Sequence, residues 1–90
     1  MGIPERIGKE DIINAIDIID RKGIPPKRKS TKFDLINDNR MYPPKYVVSI
    51  AAKIATGNEL PPNHFYGGPE TNSFLTKLGF KIRERNIVPL

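Results

Sequence analysis

The side chains of this 90-residue chain that can do chemistry are mostly cations, and they are gathered rather than spread. Residues 21–45 hold Arg21, Lys22, Lys27, Arg28, Lys29, Lys32, Arg40 and Lys45 against only Asp34 and Asp38. Residues 1–20 carry two cations and five acids, and residues 46–90 five cations and three acids, for a formal net charge of +5. A pI near 9.7 with one dense basic segment is the electrostatic footprint of a domain that meets phosphates. The same charges would also suit a solvated, solubilising surface.

Catalytic chemistry has little to build on. There is no cysteine, which removes disulfides, thiolate metal sites and a thiol nucleophile together. The single imidazole, His64, lies in a proline-rich connection, and a nucleophilic triad or a metal nuclease needs several converging groups. Glu59 and Glu70 flank it, but a Gly-Gly-Pro break separates the two acids. Neither a phosphate loop of the Gly-x-x-x-x-Gly-Lys-Ser/Thr type nor a Gly-x-Gly-x-x-Gly turn is present. The sequence therefore predicts no catalytic residue, no metal and no cofactor, and a chain that is not an enzyme.

Gly67-Gly68 before a helix start has two readings. Backbone N–H groups at a helix N-terminus attract anions, and Asn72 one turn on adds a side-chain donor. Alternatively the glycines serve a tight turn that needs positive φ. The aromatics Phe33, Tyr42, Tyr46, Phe65, Tyr66, Phe74 and Phe80 can stack unpaired bases where exposed. Most must be core, and Tyr42 and Tyr46 are the two expected to be partly exposed.

These residues need elements to position them. Ile12, Ile13, Ala15, Ile16 and Ile19 fall in one arc of a helix from about Lys9 to Lys22, with Gly23 as its stop. Pro25-Pro26 exclude a helix next, so the basic cluster is expected on a stiff extended loop. Lys32–Ile36 alternates, Asn37-Asp38-Asn39 tolerates positive φ, and Arg40–Tyr42 returns as the second strand of a hairpin. Pro44 opens a second helix to Thr56, stopped by Gly57, with Val47, Val48, Ile50, Ala51, Ile54 and Ala55 inside. Lys45, Ser49, Lys53 and Thr56 form its outer, small-and-basic stripe. Pro69 opens a third helix to Leu78 that buries Phe74, Leu75 and Leu78 and ends at Gly79. Phe80–Arg85 reads as a strand with Lys81, Arg83 and Arg85 on one face. The prediction is one small α+β domain over 1–90, ordered helix, β-hairpin, helix, helix, strand, with its core between about 9 and 88. No apolar run is long enough to span a membrane and no secretion signal opens the chain, so a cytoplasmic protein is expected.

Tyr42-Pro43-Pro44-Lys45-Tyr46, Phe65-Tyr66-Gly67-Gly68, Thr71-Asn72-Ser73-Phe74-Leu75 and Leu78-Gly79-Phe80 together form a pattern. It resembles the N-terminal head domain of modification-dependent HNH restriction endonucleases of the ScoMcrA type. The Ala15-Ile16 helix and Arg28-x-Ser30-x-x-Phe33 extend the resemblance over roughly residues 9 to 83. It implies a winged-helix-like accessory domain attached to DNA-cleaving or DNA-sensing proteins, as a stand-alone relative or a fragment. The nuclease, SRA-like and sulfur-recognising parts of such enzymes have no counterpart here, so nuclease activity is not carried over.

Two functions of different class follow. In the first, the domain contacts DNA backbone phosphates through Lys27, Arg28, Lys29, Lys32, Arg40, Lys45, Lys53, Lys81, Arg83 and Arg85, with Gly67, Gly68 and Asn72 as a further phosphate site. The same charges suit RNA. In the second, it is a docking or dimerisation module for a larger nuclease or defence protein, its acidic first helix pairing with the basic middle of another copy.

Overall fold

A computed structural model describes residues 2–30 and 32–85. The elements are α1 (Lys9–Lys22), a 3₁₀ turn (Pro26–Arg28), β1 (Phe33–Asn37), β2 (Arg40–Tyr42), α2 (Pro44–Thr56), a second 3₁₀ turn (Pro62–His64), α3 (Pro69–Lys77) and β3 (Lys81–Glu84). This is the expected order of helix, hairpin, helix, helix and strand, and the fold is a small α+β domain. Residues 86–90, where the expected core ended, lie outside the described residues.

Local chemistry sets the boundaries. The Asp11 carboxylate accepts from the Gly8 N–H at 2.9 Å, which caps the start of α1. Asp38 and Asn39 adopt φ of 50° and 63°, the two-residue turn whose twist matches a hairpin. At the end of α3 the Phe80 N–H donates to Leu75 O at 3.1 Å and Gly79 N–H to Thr76 O at 3.0 Å. Gly79 has φ 97°, so the chain leaves the helix through a left-handed turn and enters β3 at once.

The sheet runs β2-β1-β3, antiparallel throughout. Leu35 pairs with Tyr42 on one side and Ile82 on the other, and Phe33 with Glu84. Side chains alternate across the sheet, so Phe33, Leu35, Ile82 and Glu84 share one face while Asp34, Lys81 and Arg83 share the other. The core merges the α1 stripe of Ile12, Ala15, Ile16 and Ile19 with Val47, Val48 and Ala51 of α2, Leu35, Phe65, Leu75 and Phe80.

Four expectations are corrected. Pro26 opens a single 3₁₀ turn rather than an extended loop, because a proline in a first turn lacks only an N–H that the turn does not use. Ile13, expected inside, is 47 % exposed, and Ile54 37 %, since α1 and α2 cover each other on a narrower stripe than their apolar arcs. Ser49, expected on the outer stripe of α2, is buried, because the basic loop folds over that face. Tyr42, expected to be partly exposed, is also buried, since its pairing with Leu35 turns it inward, where its hydroxyl donates to Asp20 Oδ1 at 2.7 Å.

Candidate nucleic-acid interface

The basic loop is held by one of its own cations. Arg28 Nη2 donates to Ser49 Oγ at 2.7 Å, its Nη1 lies 3.5 Å from Glu59 Oε2, and its guanidinium sits 4.9 Å from the centroid of the Tyr46 ring. Ser30 Oγ bonds the Phe33 carbonyl, closing the loop just before β1. Together these contacts hold Lys27–Ser30 against α2.

α3 approaches the same place from the other side. The Tyr66 N–H donates to Glu70 Oε1 at 2.6 Å, and Thr71 Oγ1 donates to Tyr66 O at 2.6 Å, so both backbone groups of Tyr66 are tied to the first turn of α3. Gly68 has φ 67°, a backbone that favours glycine, and this turn aims the chain into Pro69. The Lys45 side chain lies alongside, its Cδ 3.7 Å from where a Cβ on Gly67 would stand and its Nζ 5.0 Å from the centroid of the Phe65 ring.

Between these elements lies a groove of about 810 Å³. Lys27, Arg28, Lys29, Lys32 and Lys45 line it together with Gly67, Gly68 and Asn72, so features far apart in the chain face one space. Phe33, Pro43, Pro44, Pro62 and Pro69 supply apolar walls, and Glu84 is the single acid of the lining. The Asn72 carbonyl oxygen Oδ1 is buried, and no donor among the described residues reaches it. Leaving such an acceptor unpaired is destabilising by about 1–3 kcal/mol.

The remaining predicted cations stand elsewhere. Arg40 lies 3.5 Å from Asp20 Oδ1. Arg85 grips the buried Asp34 with two bonds of 2.9 Å, and this carboxylate raises the guanidinium pKa further above its ordinary range. Lys81 and Arg83 are exposed on the sheet face opposite Phe33, and Lys53 is exposed further along α2, outside the groove lining. Burial first, then the bond to Asp20, raises the Tyr42 pKa. His64 is exposed, and among the described residues no three His, Cys, Asp or Glu side chains converge as metal ligands.

Sequence reasoning counted Tyr66 among the aromatics able to stack bases but expected Tyr42 and Tyr46 to be the exposed ones; Tyr66 is 80 % exposed, next in the chain to the groove-lining Gly67. Its signal was present: two glycines follow it, and neither has a side chain to cover the ring. Glu70 was weighed only as a flank of His64, not as the partner of the Tyr66 N–H. It sits in the first turn of α3 and places an acid where the glycine reading sought an anion.

The chain is thus a small α+β domain with a groove rimmed by lysines. The model of the ScoMcrA-like, N-terminal head domain matches residues 5–84, nearly the whole chain, and the chain belongs to that family of restriction and defence proteins. No curated protein and no solved structure matches it significantly. No helix among the described residues is long and apolar enough to cross a membrane.

Proposed function

We propose that this domain is a non-catalytic nucleic-acid-binding accessory module, contacting DNA backbone phosphates on behalf of a larger restriction or defence nuclease. The observation that carries this reading is the meeting of Lys27, Lys29, Lys32 and Lys45 around one groove. No ion pair involves any of the four among the described residues, whereas Arg28, Arg40 and Arg85 all face carboxylates. Phosphate contacts of this kind position a protein without reading sequence. Arg28 and Arg85 act as structural residues, and the interface narrows to the lysines.

The docking alternative has less support. Asp11 caps α1, Asp17 lies 3.3 Å from Arg21 and Asp20 bonds Tyr42, so much of the acidity of α1 is answered within its own chain. Fluorescence anisotropy of the whole chain on a labelled duplex, its single strand and a matched RNA tests the proposal. Micromolar binding to DNA that weakens steeply with salt is expected. No binding to any of the three at low salt and tens of micromolar protein would overturn it and move the search to protein partners.

A further inference from the structure

A duplex backbone needs only a cationic surface, yet the lysines here rim a groove with proline and phenylalanine walls. A ligand that fits is amphipathic in the same sense, flat and apolar at one end and anionic at the other. An unpaired nucleotide has that form. Two further features point the same way. The Asn72 carboxamide at the groove wall has a buried, unpartnered acceptor, and a carboxamide offers the paired donor and acceptor that match a base edge. Tyr66 presents a ring 80 % exposed beside Gly67, on a backbone fixed through Glu70 and Thr71. A solvent-facing aromatic on a fixed backbone, next in the chain to a groove lined by lysines, is an arrangement on which unpaired bases can stack.

We infer that the groove between the basic loop and α3 takes an unpaired nucleotide of a nucleic-acid strand. The base enters against Phe33 and the prolines, and the flanking phosphates meet Lys29, Lys32 and Lys45. Asn72 turns to bond the base edge, and Tyr66 stacks on the neighbouring base. This rests on the nucleic-acid reading above and goes further in naming the strand's state.

The test compares three labelled DNAs with the full chain: a perfect duplex, the same duplex with one extra unpaired nucleotide, and a single strand. The unpaired-nucleotide duplex and the single strand are expected to bind about tenfold tighter than the perfect duplex. Tyr66→Ala should remove about tenfold of single-strand affinity, by loss of one stacked base, and Tyr66→Phe should restore it. Because Tyr66 is exposed, this variant leaves the core untouched. Asn72→Ala should lower the preference for the unpaired nucleotide while the melting temperature holds or rises. Equal affinity for all three DNAs, or a preference unchanged in both Tyr66→Ala and Asn72→Ala, overturns the inference while leaving salt-dependent duplex binding intact. Absence of binding to all three overturns both readings.

Discussion

Arg28 and Ser49 are joined by a 2.7 Å hydrogen bond from guanidinium to hydroxyl, and this bond fastens the basic loop to the central helix. The Ser49 side chain is fully buried and the Arg28 side chain only 15 % exposed. The most basic stretch of the chain therefore contains an arginine bonded into the fold and flanked by two lysines that line the groove.

Arg28→Ala should accordingly destabilise the domain by about 1–3 kcal/mol, since it strands a buried hydroxyl and removes the guanidinium from the Tyr46 ring. Lys27→Ala and Lys29→Ala should each stay within about 0.5 kcal/mol of the parent. Urea denaturation followed by circular dichroism distinguishes them, and equal loss of stability in all three would contradict the division of labour.

Salt dependence counts the working cations. With Lys27, Lys29, Lys32 and Lys45 each neutralising one phosphate, log affinity for duplex DNA should fall against log salt with a slope between about −3 and −4. The triple variant Lys27→Ala/Lys29→Ala/Lys32→Ala should reduce the slope to about −1. A slope steeper than that for four lysines in the parent would bring Lys53, Lys81 and Arg83 into the interface.

Glu84 is the one carboxylate in the groove lining and opposes phosphate there. Glu84→Gln should strengthen DNA binding several-fold at low salt, and the gain should shrink as salt screens it. Anisotropy titrations at two ionic strengths measure both effects, and weaker binding by this variant would mean that the carboxylate accepts a bond from the ligand.

Alkaline pH should loosen the end of α1. The Tyr42 hydroxyl is held protonated in the folded chain by burial and by its bond to Asp20, so its pKa lies above the ordinary value of 10.0. Between the unfolded and folded values the unfolded chain binds fewer protons, so stability is fully present below pH 10 and declines as pH rises beyond it. Tyr42→Phe should be less stable at neutral pH and show a shallower alkaline decline. Chemical denaturation at a series of pH values reads both.

The Asp34–Arg85 pair ties the central strand to the residue that follows β3, 51 residues on. Arg85→Ala should lower Tm by leaving a buried carboxylate without its partner, and adding Asp34→Asn should recover part of the loss. Calorimetry of the single and double variants tests the pairing; no recovery would mean that Asp34 is satisfied in other ways.

Much of the fold was determined by the sequence alone. Gly23, Gly57 and Gly79 stop helices, Pro44 and Pro69 open them, and Asp38-Asn39 turns the hairpin, because each acts through the backbone of its own few residues. Tertiary structure decided the rest. Which side of α2 is outside depended on the basic loop lying over Ser49, and whether Tyr42 or Tyr66 meets solvent depended on strand pairing and on the turn after Phe65. The charge of Arg28, Arg40 and Arg85 was legible, but their carboxylate partners lie 20 to 51 residues away or, for Arg28, 31 residues away at Glu59. The groove itself joins residues from Lys27 to Glu84, a proximity created only when β1 pairs with β3 and α3 docks beside α2. Local sequence fixes conformations a few residues long, whereas a site is made of distances between elements, and those are set by packing.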